Sequence, residues 1–251
     1  MQYSNLGRSG LMVSKLCLGT MNFGGITPEK ESFKIMDSAL ENGINFFDTA
    51  DRYGKPRMSG NTEKIIGKWL KESKNRDNIV LSSKFYGPMG PGANDEGLSA
   101  LYMRRACESS LKRLGTDRID LYQMHHVERS TPWEEIWQQM EQLVQSGKIL
   151  YVGSSNFAAW NIAQANERAA ARHFLGLVSE QSLYNLSQRM LELEMIPVCR
   201  AYGLGIMPWS PLGAGRLAGA VEKATQGRRA LVTLTEEERK KIISERKSLE
   251  E

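Results

Sequence analysis

The sequence lacks long apolar runs: no segment reaches the roughly 20 consecutive apolar residues that a membrane-spanning helix needs. Its N-terminus also has no uninterrupted apolar core of the kind found in signal peptides. There are only 3 cysteines in 251 residues, and Cys17, Cys107 and Cys199 are isolated, without disulfide or metal-ligand spacing. We therefore predict a cytoplasmic protein with buried free cysteines, no membrane partner and no metal site.

No charge of one sign dominates the chain. The 33 Lys and Arg residues nearly balance 29 Asp and Glu residues, giving a formal net charge of +4. Because the cations are scattered rather than grouped in a stripe, the charge pattern argues against a nucleic-acid partner and favours a small-molecule substrate. No composition shift or low-complexity segment marks a boundary, so a single domain over residues 1–251 is predicted, with the oligomeric state left open.

Short apolar segments recur at similar intervals and alternate with helical patterns. Their continuous hydrophobicity is typical of parallel strands that are buried on both faces. The predicted strands are residues 16–18, 45–47, 79–82, 119–124, 150–153, 177–179 and 205–209. Strand and helix alternating in this way indicate either a closed (β/α)8 barrel or an open, doubly wound sheet.

The helical segments have recognisable ends. Thr27 is predicted as an N-cap, and Thr131 with Glu134 three residues later has the spacing of a capping box. Gly115 is predicted to end the helix that carries Met103 on its apolar face.

The loop after the first strand favours the barrel. A dinucleotide-binding open sheet normally places a GxGxxG loop there, and residues 17–25 do not have that spacing. The sequence therefore predicts an α/β fold, a (β/α)8 TIM barrel, preceded by a β-hairpin over residues 3–6 and 12–15 that could cover its bottom. In such barrels the chemistry lies at the carboxyl ends of the strands.

Four chemically active side chains follow three successive predicted strands: Asp48, Tyr53, Lys84 and His125. An ammonium beside a phenol stabilises its anion, so Lys84 could make Tyr53 a usable proton donor at neutral pH. Asp48 could hold Lys84 charged, and His125 could hydrogen-bond a carbonyl oxygen. Each residue alone has a plain structural explanation, as a turn, a loop cover or a solvated strand end. Together they favour a catalytic site for carbonyl reduction.

Two longer motifs carry a family resemblance. Residues 48–54, Asp-Thr-Ala-Asp-Arg-Tyr-Gly, and residues 119–125 with Thr131-Pro132 resemble the two signatures of the aldo-keto reductases. The resemblance implies that Asp48, Tyr53, Lys84 and His125 form a catalytic tetrad in an enzyme that reduces an aldehyde or ketone with NADP(H). Within the family, residues 180–185 and 210–216 look most like potassium-channel β subunits and bacterial carbonyl reductases. A cofactor-binding regulatory or redox-sensing subunit with slow turnover is therefore the alternative.

The resemblance also implies a nicotinamide dinucleotide extended across the barrel mouth. Its carboxamide would meet Ser155, Asn156 and Gln181, and Trp209 would stack on the ring. The full set of predicted cofactor-binding residues is Thr20, Met21, Ser155, Asn156, Gln181, Trp209, Ser210, Leu212, Gly213, Gly215 and Arg216. Asn156 could instead cap a helix, and the loop after Trp209 could be a plain turn. Phe23, Tyr86 and Trp133 are predicted as walls of the substrate pocket.

The C-terminal part departs from the family pattern and is predicted to be incomplete. The eighth strand, and the segment after it that would hold the adenosine 2′-phosphate, are not recognisable, so the preference for NADP over NAD stays open. Three explanations compete: a stretch absent from this sequence, a shortened chain, or an eighth strand at residues 231–234. The first is favoured, because a segment that clamps a cofactor can be disordered without it.

Overall fold

The protein is a parallel sheet wrapped by helices and preceded by a hairpin. A computed structural model describes residues 1–218, together with Glu237, Lys240 and Ser244. The strands are β1 (Tyr3–Asn5), β2 (Met12–Ser14), β3 (Cys17–Gly19), β4 (Phe46–Asp48), β5 (Val80–Phe85), β6 (Ile119–Met124), β7 (Ile149–Ser155), β8 (Leu177–Leu183) and β9 (Gly205–Trp209). The helices are α1 (Glu29–Glu41), α2 (Asn61–Ser73), α3 (Ala100–Leu114), α4 (Trp133–Gln145), α5 (Ala159–Ala170) and α6 (Met195–Tyr202).

The sheet runs β3-β4-β5-β6-β7-β8-β9, so each strand pairs with its neighbour in sequence, and all these pairs are parallel. A helix connects each strand to the next, which gives a curled α/β sheet with its helices outside. The prediction of an α/β barrel-type fold with an N-terminal hairpin is confirmed. The possible eighth strand at residues 231–234 lies outside the described residues.

The hairpin β1–β2 covers the amino ends of the strands. Leu6 and Val13 pack in an apolar cluster with residues from inside the sheet. The other buried members of this cluster are Phe46, Val80, Leu121, Val178 and Met207. The backbone N–H of Arg8 donates to the carbonyl of Gly203 at 2.6 Å, which ties the hairpin to the loop before β9. The predicted role of the hairpin as a bottom cover is therefore confirmed.

Inside the sheet, the side chains change from apolar to polar toward the carboxyl ends. Because alternate residues of a strand share a face, Phe46 is followed on the inner face by Asp48, and Val80 by Ser82 and Lys84. The larger apolar core lies outside, between sheet and helices, where Phe47 stacks on Trp69 and Phe85 on Tyr122. The polar inner end is the place where a site can be built.

Some predicted helix ends are wrong. The N-cap positions of α1 and α4 are Pro28 and Pro132, one residue after the predicted threonines, and neither helix has a side-chain cap. The Thr131 hydroxyl donates to Glu128 at 2.9 Å instead, because that acid from the preceding loop competes for it. Gly115, in contrast, ends α3 with a left-handed φ of 61° as predicted.

Cys107 and Cys199 are buried as predicted, but Cys17 is exposed. It lies in β3, which is an edge strand of the described sheet. Burial raises the pKa of both the Cys107 and Cys199 thiols to about 12, which keeps them protonated and unreactive. No helix in the described part of the chain combines the length and apolar character that crossing a bilayer requires.

Gly67 allows α2 to lie close to the end of α3, and an alanine at this position would test that close approach. A Cβ at Gly67 would lie 2.4 Å from the Arg113 carbonyl oxygen and 2.9 Å from the Leu114 carbonyl carbon, both backbone atoms. Glycine to alanine in a helix normally stabilises by up to about 1 kcal/mol. Here we expect Gly67→Ala to lower the free energy of unfolding by about 1 to 3 kcal/mol in urea denaturation, because the helices must move apart. Lys64→Ala, on the exposed face of α2, is the control; a Gly67→Ala variant as stable as this control would contradict the close approach.

Candidate active site

Four side chains meet where β4, β5 and β6 end. Asp48 is the last residue of β4 and Tyr53 lies in the loop that follows; Lys84 is next to last in β5, and His125 directly follows β6. Parallel pairing in register places Asp48 opposite Ser82, and Lys84 opposite Gln123. The structure therefore brings all four predicted residues to one edge of the sheet.

A buried ion pair lies at the base of this group. The Lys84 Nζ is 2.6 Å from Asp48 Oδ2 and donates to the Thr49 carbonyl at 2.7 Å. The Lys84 side chain has no exposed surface. Burial acts to lower the pKa of Lys84, but the negative charge of Asp48 and the Tyr53 phenol outweigh it, so the pKa is raised. Lys84 therefore stays an ammonium group in the folded protein.

Asp48 is held by donors from three other strands. Its Oδ1 accepts hydrogen bonds from the Ser82 hydroxyl and from the side-chain amides of Gln123 and Gln181, each at 3.1 Å. With Lys84 on Oδ2, both oxygens of the carboxylate are occupied. Such charge-assisted bonds from fixed strands leave the carboxylate little freedom to rotate. The position of the Lys84 ammonium is correspondingly fixed.

Tyr53 and His125 lie above the ion pair. The Lys84 Nζ is 5.0 Å from the Tyr53 ring centroid, and the Tyr53 and His125 rings meet edge to face with centroids 5.8 Å apart. Burial, aided by the charge of Lys84, lowers the pKa of His125 to about 2. His125 is thus a neutral imidazole, which can donate one hydrogen bond and accept another.

The rings around His125 form one side of the mouth. His126 stacks nearly parallel on His125 with centroids 5.3 Å apart, and Tyr86 lies 5.5 Å from His126. Phe23 and Trp133, the other predicted pocket walls, are instead buried in the main hydrophobic core. Tyr86 lies at the mouth because it directly follows β5, whereas Trp133 is in the core because it begins a helix in the outer layer.

The predicted cofactor residues at the ends of β7, β8 and β9 are linked to one another. The Ser155 hydroxyl donates to the Gln181 carbonyl at 2.8 Å, and the Trp209 indole N–H donates to Asn156 Oδ1 at 3.1 Å. Asn156 Nδ2 in turn donates to the His125 carbonyl at 3.2 Å. Asn156 has a left-handed φ of 59°, and α5 begins only at Ala159, so Asn156 is not a helix cap.

The loop after β9 has an unusual backbone. Ser210, Gly213, Ala214 and Gly215 all have positive φ, at 50°, 56°, 54° and 97°. Two of its N–H groups already have partners within the loop, because those of Gly213 and Gly215 donate to the carbonyls of Ser210 and Leu212 at 2.9 and 3.0 Å. Leu212 and Arg216 in this loop are exposed. The side-chain amides of Asn156 and Gln181 and the residue Trp209, which is 38% exposed, are the groups here that suit a nicotinamide ring and its carboxamide.

Thr20 and Met21, the two other predicted cofactor-binding residues, follow β3. Thr20 is fully buried, and its hydroxyl donates to the Asp48 carbonyl at 2.9 Å. Met21 is 41% exposed beside it. Thr20 therefore supports the backbone that carries Asp48, and only Met21 of these two offers side-chain surface to a ligand.

Two buried acids near the site were not found by sequence reasoning. Glu180 lies under the Ser155–Asn156 turn, where it accepts from the hydroxyls of Ser154 and Ser182 and from the Phe157 N–H. Burial raises its pKa to about 7, against the opposing effect of these hydrogen bonds. The only sequence signal was a run of polar residues inside a strand, Ser179 to Ser182, which indicates a polar interior rather than an apolar one.

Asp51, two residues before Tyr53, is the second. It is completely buried, and no side chain among the described residues hydrogen-bonds to either carboxylate oxygen. Burial and the neighbouring charge of Glu63 raise its pKa to about 8, with Arg113 and Arg52 acting in the opposite direction. Glu63 itself is paired with Arg113 at 2.7 Å. Asp51 is therefore mostly protonated at neutral pH.

Comparison with known proteins agrees with this fold. A match to the Aldo/keto reductase family covers residues 15–246, and the chain belongs to that family. Membership makes the protein an oxidoreductase of the class that acts on carbonyl compounds with a nicotinamide cofactor.

Three relatives show the range of proteins that the chain resembles. It is 53% identical over 234 residues to the uncharacterized oxidoreductase YrpG of Bacillus subtilis, covering 91% of this chain and 72% of that protein. It is 35% identical over 234 residues to norsolorinic acid reductase A of Aspergillus parasiticus, covering 88% of this chain and 59% of the relative. It is also 38% identical over 227 residues to a probable voltage-gated potassium channel subunit beta of Arabidopsis thaliana, covering 89% and 67%.

Asp51 predicts a pH dependence of stability. Its pKa in the folded protein, about 8, lies above its ordinary value of 3.8, so the unfolded chain loses this proton first as the pH rises. The stabilising contribution of the protonated group is present below about pH 4 and is lost toward pH 8. We expect the stability of the wild type relative to Asp51→Asn to fall by roughly 2 to 5 kcal/mol over this range in urea denaturation.

The matched control is Asp117→Asn, because the Asp117 side chain is 87% exposed. Glu180 titrates alike in all three proteins and cancels in the differences. A stability difference between wild type and Asp51→Asn that is independent of pH would show that Asp51 is ionised in the folded protein.

Proposed function

We propose that this protein reduces an aldehyde or ketone to an alcohol, with NADPH as hydride donor and Tyr53 as proton donor. The observation that carries the proposal is the buried Lys84–Asp48 pair beneath Tyr53, with a neutral His125 at the edge of the same ring. The choice of NADPH over NADH comes from the resemblance. The proposal takes the chain as a single cytoplasmic domain acting on a small molecule, without a nucleic-acid or membrane partner.

Tyr53 gives its proton to the carbonyl oxygen of the substrate and becomes a phenolate. The Lys84 ammonium, 5.0 Å from the ring centroid, stabilises that anion in a site where solvent screening is weak. Asp48 keeps the ammonium in place, because its own orientation is fixed by Ser82, Gln123 and Gln181. The fixed charges need little rearrangement when the phenolate forms.

His125 acts as a neutral hydrogen-bond donor to the carbonyl oxygen. With a pKa of about 2 it does not compete with Tyr53 as a proton source near neutral pH. A neutral donor can still polarise the carbonyl and stabilise the charge that develops on its oxygen. The two residues thus have separate roles, one transferring a proton and the other orienting the substrate.

The cofactor would be held by residues at the ends of β7, β8 and β9. Ser155, Asn156 and Gln181 would hold its carboxamide, Trp209 would cover its ring, and the Ser210 to Arg216 loop would receive its pyrophosphate. When bound, the reduced nicotinamide supplies the hydride. Asn156 occupies its left-handed turn through bonds to the His125 carbonyl and the Trp209 indole, so cofactor binding and the position of His125 are coupled.

A regulatory or redox-sensing subunit is the second candidate. It is favoured by the 38% identity to a protein named as a probable potassium channel subunit beta. The same site would then bind the cofactor but turn over slowly. Purified protein should be mixed with NADPH and a panel of aldehydes and ketones, and the loss of NADPH followed by absorbance. Repeated turnover supports the reductase, and tight NADPH binding without turnover supports the regulatory subunit. A protein that neither binds NADPH nor oxidises it would contradict both proposals.

The role of Tyr53 is tested by Tyr53→Phe. The variant keeps the ring and loses the hydroxyl, so kcat should fall by about 10²- to 10⁴-fold while the Kd for NADPH changes little. Tyr202→Phe is the matched control, since Tyr202 donates to Glu167 on the protein surface, away from the site. Should Tyr53→Phe retain the kcat of the wild type, another group is the acid.

The role of the ion pair is tested by Lys84→Met alone and combined with Asp48→Asn. Alone, the substitution leaves a buried carboxylate unpaired and should lower the free energy of unfolding by about 3 to 5 kcal/mol as well as abolish turnover. The double variant removes both charges, so most of the stability should return in urea denaturation while turnover stays lost. Turnover that returns together with stability would mean that Lys84 has only a structural role.

A further inference from the structure

Arg52 places a guanidinium beside the loop that follows β5, at the carboxyl ends of the strands. A Cβ at Gly87, just after β5, would lie 2.4 Å from Arg52 Nη1 and 2.9 Å from Cζ, so the guanidinium rests against the Gly87 backbone. Because Gly87 has no side chain, it leaves room for the Arg52 guanidinium. Arg52 is only partly buried.

In the part of the chain that the structure describes, the positive charge of Arg52 has no balancing partner. Among the described residues no carboxylate lies within ion-pair distance of its guanidinium, and no hydrogen bond is formed. Asp51, the acid on which its charge acts, has a pKa of about 8 and is mostly neutral at pH 7. Glu128, on the same side of the mouth, is occupied by the Leu98 N–H and the Thr131 hydroxyl.

The position of Arg52 is close to the rings of the site. Gly87, against which the guanidinium lies, directly follows Tyr86, whose ring is 5.5 Å from that of His126, and His126 stacks on His125. In agreement, the positive charge of Arg52 adds to burial in lowering the pKa of both histidines. An uncompensated cation thus lies next to the residues that would contact a carbonyl substrate.

We propose that Arg52 is a specificity-determining residue that binds a carboxylate carried by the carbonyl substrate. The proposal rests on the proposed reductase function. Guanidinium presents a rigid planar fork that matches a carboxylate with two hydrogen bonds. The aromatic and imidazole rings nearby suit the flat or apolar part of the molecule between that carboxylate and the reacting carbonyl. The substrate class is therefore an aldehyde or ketone that also carries an acid group.

The test compares 4-carboxybenzaldehyde with its methyl ester, which keeps the shape and removes the charge. In the wild type we expect a higher kcat/KM for the acid. In Arg52→Gln, kcat/KM for the acid should fall by about tenfold to hundredfold, mainly through KM, because a charged hydrogen-bonded contact is lost. The ester should change far less. Any indirect effect through His125 would alter both substrates equally.

Two further variants separate contact from general charge. Arg57→Gln removes the same charge from an exposed position in the same loop and should leave the preference for the acid unchanged. Gly87→Ala keeps the charge and displaces the guanidinium, so the preference should fall. The proposal would be overturned if the wild type showed no preference for the acid, or if Arg52→Gln lowered kcat/KM equally for the acid and the ester. It would also be overturned if Arg57→Gln lost the preference to the same extent as Arg52→Gln, or if Gly87→Ala kept it unchanged.

Binding provides a readout that does not depend on turnover. Calorimetric titration of the NADP⁺-loaded protein with the same two aldehydes should show tighter binding of the acid, and the difference should disappear in Arg52→Gln. If neither aldehyde is reduced but this difference in binding is present, the reductase function fails while the carboxylate site stands. If both are reduced and the acid has no advantage, the reductase stands and the carboxylate site fails.

Discussion

The ion pair between Lys84 and Asp48 is the interaction on which the rest of the site depends. An ammonium without exposed surface is costly to bury, and it persists only when a counter-charge and further hydrogen bonds replace its lost hydration. The inner face of the sheet supplies these: Asp48 at 2.6 Å, the Thr49 carbonyl at 2.7 Å and, one shell further out, three donors to the carboxylate. The position of the charge is thus specified by four adjacent or facing strands rather than by a flexible loop.

This polar arrangement has to be stabilised elsewhere in the chain. The amino end of the same inner face is apolar, with Phe46, Val80 and Leu121 closed from below by Leu6 and Val13 of the hairpin. The outer face of the sheet packs against the helices in the larger core. Stability and chemistry are therefore separated along each strand, and a strand such as β5 is apolar at Val80 and ionic at Lys84 only four residues later.

Much of this arrangement could be predicted from the sequence, because it depends on local patterns. The strand order and the meeting of Asp48, Lys84 and His125 follow from strand periodicity and from the parallel topology, which places all carboxyl ends at one edge. The protonation of Asp51 and Glu180 could not be predicted in this way, since it depends on burial by distant segments. The failed N-cap at Thr131 has a local cause instead: its hydroxyl donates to Glu128, three residues earlier in the chain.

Cys17 shows a different limit of sequence reasoning. An isolated cysteine in an apolar segment is normally buried, yet this one lies in an edge strand of the described sheet and is exposed. Phe23 and Trp133 show the reverse, as aromatic residues near the motifs turned out to be core residues. In these cases the residue type and its neighbours in sequence are compatible with either environment, and only the packing of whole elements distinguishes them.

The sequential strand order has a consequence for how the chain reaches its folded state. Each of β4 to β9 pairs with the strand that precedes it, so this part of the sheet can grow one unit at a time as the polypeptide leaves the ribosome. The hairpin is the exception. Gly7 fits against the backbone of Val178, Gly203 and Gly205, so the β1–β2 hairpin, which is made before the sheet, acquires its binding surface only after β8 and β9 have been made. Until then Leu6 and Val13 have no complete partner surface, and the amino end of the growing sheet stays open to water or to a chaperone.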